Sequence, residues 1–177
     1  MSINRWSRFI ISMLAVAALT LSACGYRFPG EKPAVPSGFE NASVRIVGQG
    51  KSTDPLLARM LRERLETRLG VGQGAVSSDA DAGALIRVEM EPVNKVLILE
   101  DRQGRAKQYQ VIVQAQPTLV PGNDATPPVK YASVNGEASY FELRSVTASR
   151  TSQYQAEQEA LDQLVDALVA LIAAGDA

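Results

Sequence analysis

The chain has 177 residues with 18 Lys and Arg against 19 Asp and Glu, one cysteine and no histidine. That inventory excludes an intramolecular disulfide, a Cys/His zinc site and the Ser/His and Cys/His nucleophile pairs. A near-neutral charge with no block of like charges gives nucleic acid no electrostatic foothold.

The first 23 residues hold Arg5 and Arg8 and no acid, then an uncharged run from Phe9 to Leu19. A basic start, an apolar middle and small residues at the end make the layout of a secretory signal. About eleven apolar positions are too few to cross a hydrocarbon layer of roughly 30 Å at about 1.5 Å per residue, which disfavours the competing reading of a permanent transmembrane helix. The sole cysteine, Cys24, sits at the end of this segment. Alone it reads as a small core residue, a nucleophile or a modification site. Its context, Leu21-Ser22-Ala23-Cys24, resembles the bacterial lipobox, which implies acylation of Cys24 as the new N-terminus. The competing reading is an unmodified cysteine after an ordinary signal. Gly25 rather than Asp follows it, and by the same resemblance this points to the outer membrane.

Removal of residues 1–23 leaves 154 residues with 16 basic and 19 acidic groups, a net charge of −3. Residues 24–41 contain Pro29, Pro33 and Pro36 and three glycines without periodicity, and read as a lipidated tether. Residues 42–177 read as a single domain.

Within that domain Ser43 to Val47 is a short strand candidate. Asp54-Pro55 then supplies an N-cap and an N1 proline. Leu57, Met60, Leu61, Leu65 and Leu69 follow at helical spacing opposite Arg59, Arg62, Glu63 and Glu66, and Gly70 closes the element. Ala84, Ile86, Val88 and Met90 alternate as a strand does. Pro92 interrupts the pattern, so Val93 to Glu100 is expected to be offset by a bulge or to lie on an edge. After the turn Asp101-Arg102-Gln103-Gly104, the run Gln108 to Gln116 places Tyr109, Val111, Val113 and Ala115 on one face and four glutamines with Ile112 on the other. Prolines and glycine mark a loop from Val120 to Pro128. A strand with Ala132, Val134, Gly136, Ala138 and Tyr140 on one face precedes a last helix from about Ser152 to Ala174. Ser152 and Gln155 form its expected capping box, and Leu161, Leu164, Val165, Leu168, Leu171 and Ile172 its stripe. The order β-α-β-β-β-α indicates an α+β fold, with two helices on one face of a mixed four-stranded sheet and the glutamine-rich face left open.

Chemistry is sparse. Lys32, Lys51, Lys95, Lys107 and Lys130 could in principle serve a Ser/Lys pair, but none sits in a motif. Glu89 and Glu91 lie on the solvated side of a strand, and Gly48-Gln49-Gly50 lacks the rest of a phosphate loop. No catalytic residue, cofactor or metal is expected, and the residues read as a tethered, non-enzymatic binding module.

Three stretches carry a family resemblance: Cys24-Gly25-Tyr26-Arg27-Phe28; Arg102-Gln103-Gly104-Arg105-Ala106-Lys107-Gln108-Tyr109-Gln110; and Leu119-Val120-Pro121-Gly122-Asn123-Asp124. In this order behind a lipobox the chain resembles the LptE lipoproteins over essentially its whole mature length. The resemblance implies two helices on a four-stranded sheet, a plug in the lumen of the LptD β-barrel, and binding of lipopolysaccharide at the outer membrane, on its periplasmic side. It also implies that Arg102, in the strand turn, and Arg150, before the last helix, contact lipid A phosphates. Arg105, Lys107 and Lys130 are further candidates by loop placement. Phe141 to Ser149 matches no family signature. The alternative is a periplasmic scaffold or activator lipoprotein that docks on cell-wall machinery through the glutamine-rich face. A Ser/Lys hydrolase is a distant third reading.

Overall fold

Apolar residues in period 3.6 and in period 2 alternate along the chain, and the elements they form stack as one layer of helices on one sheet. The computed structural model describes residues 35–48, 54–72, 83–102, 107–122, 125–142 and 145–175. In chain order the elements are β1 (Ser43–Gly48), α1 (Pro55–Leu69), β2 (Leu85–Met90), β3 (Asn94–Glu100), β4 (Lys107–Val120), β5 (Val129–Lys130), β6 (Val134–Glu142) and α2 (Val146–Ala174). The class is α+β as expected, but the sheet has six strands rather than four.

The register explains the difference. β2 and β3 pair with successive halves of β4, Leu85–Met90 against Val120–Ala115 and Asn94–Glu100 against Ile112–Lys107. They are one ribbon broken at Glu91-Pro92-Val93, where the pairing slips by one residue; it slips again between Leu97 and Leu99. On its other side β4 pairs with β6 over Lys107–Ala115 and with the two-residue β5 at Thr118 and Leu119. Pro117, which has no N–H to give, falls in the gap between those two ladders. β1 lies parallel to β2, a pairing that requires the crossover α1 supplies.

Helix α1 starts and stops as its sequence dictates. Asp54 Oδ1 accepts from the Leu56 amide at 2.8 Å, Pro55 takes N1, and Gly70 closes the helix in the left-handed region at φ 70°. Leu57, Leu61, Leu65 and Leu69 are buried. On its outer side Arg59–Glu63 and Arg62–Glu66 pair at 2.9 Å each, exposed i,i+4 contacts of a few tenths of a kcal/mol.

Helix α2 departs from expectation at its start. Its N-cap is Ser145, whose hydroxyl accepts from the Ala148 amide at 3.4 Å, so Ser152 lies inside the helix and the Ser152/Gln155 capping box does not form. None of residues 146–151 is buried, and these extra turns lack the apolar stripe that marks the rest. The buried stripe adds Ala156 and Ala160 to Leu161, Leu164, Val165, Leu168 and Ile172.

Those small residues set how α2 meets the sheet. A Cβ on Gly136 of β6 would overlap the Ala160 carbonyl oxygen and lie 2.6 Å from the Leu164 amide nitrogen. Helix backbone therefore rests directly on strand backbone, and no side chain larger than hydrogen fits. Arg64 of α1 joins the helices, donating to the Gln158 carbonyl at 3.2 Å and to Asp162 at 2.6 Å. Under both helices lie Val44, Ile86, Val88, Met90, Val111, Val113, Ala115, Leu119 and Ala138, all buried. At one end of this core Tyr109 and Tyr140, opposite each other in register, stack with ring centroids 5.5 Å apart.

Gly136→Ala is expected to destabilise the fold by at least about 2 kcal/mol, because backbone on both sides must part to admit the methyl; chemical denaturation of the full chain measures it. The Tyr140 phenol is held above its ordinary pKa of 10.0 by desolvation on burial, then by Tyr109, Glu142 and Glu157. A neutral form favoured in the fold contributes stability that is complete below about pH 10 and is lost as pH rises through the elevated folded value. The phenolate absorbance of the native chain should accordingly rise in a late phase above pH 10, and Tyr140→Phe should remove that phase.

Candidate functional site

The β3–β4 hairpin projects from one end of the sheet. β3 pairs with β4 on one edge, and no described strand pairs with the other. All seven of its residues are exposed, including Val96, Leu97, Ile98 and Leu99 at 41, 45, 49 and 59%. The double slip in register puts Val96 and Leu99 on the open face, beside Gln110 and Gln108, and Leu97 on the helix face beside Tyr109. Phe141 of β6, opposite Gln108 on its other side, is 53% exposed and extends the patch across three strands. An apolar surface on both sides of one edge strand differs from an ordinary half-buried strand, whose alternation hides one face.

Charged groups surround this surface. Lys95 pairs with Glu157 of α2 at 3.1 Å and Lys107 with Glu100 at 3.6 Å, both partly engaged within the protein. Arg102 lies exposed just past β3. Arg150 lies exposed within α2 rather than before it, since the helix begins at Val146. Ten residues of helix separate Arg150 from Ala160, about 15 Å, and five residues of strand separate Phe141 from Gly136, about 17 Å. Because Gly136 touches Ala160, Arg150 stands level with Phe141, at the hairpin end. Arg102, Lys107 and Arg150 thus share one end of the molecule.

Lys130 does not join them. It pairs with Thr118, eleven residues from Lys107 along β4, or about 35 Å at strand rise. Its placement in a loop-rich stretch of sequence gave no sign that a two-residue strand fixes it at the opposite end. Arg105 and Cys24 fall outside the described residues.

Between the two ends the open face of β4 and β6 is a connected polar surface. Gln110 Nε2 and Asn135 Nδ2 both donate to Glu137, at 2.6 and 2.5 Å, Gln114 Nε2 donates to Ser133 Oγ at 3.0 Å, and Gln116 Nε2 donates to the Tyr131 carbonyl at 2.7 Å. Bonding holds these side chains in fixed directions, so the face is ordered. Between the helices, a groove of about 200 Å³ is lined by Glu63, Arg64, Thr67, Arg68, Asp162 and Val165 and is spanned by the Arg64–Asp162 and Arg68–Asp166 ion pairs. Among the described residues no group of three or more His, Cys, Asp or Glu could hold a metal, and no helix is long and apolar enough to cross a membrane.

The sequence signal for the apolar hairpin is the uncharged run Val96 to Leu99, which begins four residues after Pro92. Periodicity suggests an edge but not the exposure of all seven residues of β3, which is decided by what packs over the strand rather than by its own pattern.

The fold recurs among solved lipoproteins. The minor lipoprotein of Acinetobacter baumannii is similar at a TM-score of 0.53 with 18% identity, covering 78% of this chain and 93% of that one. A lipoprotein of Caulobacter crescentus CB15 gives 0.52 with 16% identity over 78% and 91%. Lipoprotein B of Nitrosomonas europaea gives 0.52 with 13% identity over 84% and 90%. At such identities the likeness is one of fold. No curated protein matches the chain by sequence. The family profile described as "LptE: Lipopolysaccharide-assembly" matches residues 39–173, from the residues leading into β1 almost to the end of α2. The chain therefore belongs to the LptE family of lipopolysaccharide-assembly lipoproteins.

Proposed function

We propose that this protein is a lipid-anchored outer-membrane chaperone of lipopolysaccharide assembly, which seats in the lumen of an LptD-type β-barrel and engages lipid A at the β3–β4 hairpin. The observation that carries the reading is the exposed run Val96 to Leu99 with Phe141 beside it, on the end of the molecule that also presents Arg102 and Arg150. Lipid A joins acyl chains to phosphates, and this end offers an apolar surface next to guanidinium groups suited to bidentate phosphate contacts. The ordered polar face supports the barrel reading. A water-filled lumen has a polar wall, and a face of amides and hydroxyls with isolated carboxylates can hydrogen-bond to such a wall. The lipobox at Leu21 to Cys24 supports the anchor, since acyl chains hold a protein at a membrane with about 0.8 kcal/mol per buried methylene. The role is non-catalytic.

Arg102→Glu with Arg150→Glu should lower capture of lipopolysaccharide by the detergent-solubilised chain about tenfold or more, each charge-assisted contact being worth about 1.5–3 kcal/mol, while circular dichroism stays unchanged. Unaltered capture by the double variant defeats the assignment of that end. Mass spectrometry of the protein from membranes should find the chain starting at an acylated Cys24, with Cys24→Ser abolishing the acyl mass and the membrane retention.

A further inference from the structure

Two separate demands of the fold place Asn135 directly before Gly136. The seat of α2 admits no side chain at position 136, since a Cβ there would overlap the Ala160 carbonyl oxygen. The open face takes an amide at position 135, where the exposed Asn135 donates to Glu137 beside Gln110. Asparagine before glycine is the dipeptide most open to attack of the backbone on its own side chain, because a residue without a Cβ leaves its amide nitrogen unscreened. Of the five asparagines, at positions 3, 41, 94, 123 and 135, only Asn135 precedes a glycine. In β6 that nitrogen is held. Glu91 donates to the Gln114 carbonyl on one side of β4, so alternation turns Val113 toward β6, where its register partner is Gly136. The Glu137 amide, one residue on, points the other way and donates to Gln163 Oε1 of α2 at 3.3 Å.

We infer that Asn135 is a site of spontaneous deamidation, which the paired β6 strand blocks and which unseating of α2 opens. The Gly136 nitrogen attacks the side-chain carbonyl carbon of Asn135. A C–N bond forms and closes a five-membered succinimide, the bond from that carbon to Nδ2 breaks, and ammonia leaves with the proton given up by the Gly136 nitrogen. Water then opens the ring at either carbonyl. One opening gives aspartate, the other isoaspartate, in which the main chain runs through the former side chain. Water is the only co-reactant. Ring closure requires rotation about the Asn135 Cα–C bond out of the strand conformation, which carries Gly136 off Val113 and off Ala160. The folded chain therefore reacts only in the fraction that has opened there, and β6 beneath α2 is part of the core that opens last. An isoaspartate lengthens the backbone by one carbon just before the seat and sets a second carboxylate beside Glu137. Every later residue of β6 is then displaced against β4, and α2 loses its seat. The inference rests on the packing of α2 and is independent of the lipid and barrel readings.

The test incubates the full chain in mildly alkaline buffer, one portion folded and one held unfolded in guanidinium chloride, and follows each asparagine by peptide mass spectrometry. The unfolded chain should deamidate first at Asn135, and the folded chain there at least about a hundredfold more slowly, in proportion to its open fraction. Leu168→Ala removes buried contact of α2 away from the site and should speed the folded reaction about tenfold or more. Should that variant not fold, Ile172→Val makes the same comparison with a smaller acceleration, about twofold or more. The isoaspartyl chain, separated after reaction, should not regain the wild-type circular dichroism on dilution. Asn135→Gln, whose longer side chain would have to close a six-membered ring, should regain it after the same incubation. Equal rates in the folded and unfolded chains overturn the inference, as does a folded rate that loosening α2 leaves unchanged. Deamidation of the unfolded chain at other asparagines with Asn135 intact also overturns it, and so does an isoaspartyl chain that refolds with the wild-type Tm.

Discussion

The seating of α2 on β6 governs the rest of the molecule. At Gly136 the strand has no side chain, and Ala160 brings the helix backbone against it. That contact fixes the height and direction of a 29-residue helix and lets its stripe from Ala156 to Ile172 reach the inward residues of β4 and β6. With α1 tied to α2 through Arg64, both helices lie on one side, and among the described residues no element covers the other side of the sheet. An uncovered face has to be stable in a polar setting. Here the glutamines and asparagine of β4 and β6 bond laterally to one another's neighbours, which leaves the surface polar and ordered.

Strand β4 is the axis along which the two ends differ. Its 14 residues pair with β2, β3, β5 and β6. At the Val120 end it is covered on both flanks and lies over the closed core. At the Lys107 end it supports a hairpin whose outer strand has one neighbour and no buried residue. Local stability follows buried apolar contact, so opening should begin at β3 and end at β4 and α2. An exposed apolar edge is ordinarily an aggregation hazard that natural sheets suppress. Its persistence here fits a protein whose hairpin works in contact with lipid and inside a partner, as proposed. The irregularity at Ile98 also limits pairing with a stray strand, because it breaks the even spacing a second strand would need.

The solved relatives share this architecture at identities of 18% or less. What such distant sequences retain is the arrangement of elements. The surface residues that meet ligand or partner have to be read from this chain itself.

The sequence by itself determined the α+β class, the order of the main elements, the caps of α1 and the inward faces of β2, β4 and β6. Those features are local: a cap or an alternation is complete within a few residues, and the physics that makes it operates over the same span. The six strands, the true start of α2 and the grouping of the cations were decided only in three dimensions. Pro92 and Ile98 mark shifts of register by one residue each, a displacement no periodicity reports, and the second moves Leu99 from the helix face to the open face beside Gln108. The first turns of α2 lack a stripe and take their helicity from the Ser145 cap and the packed remainder, so Arg150 is a helical residue that stands at the hairpin end. In sequence Lys130 resembles any loop lysine. Only inter-strand pairing, which depends on which backbone groups meet across the sheet, separates it from Arg102.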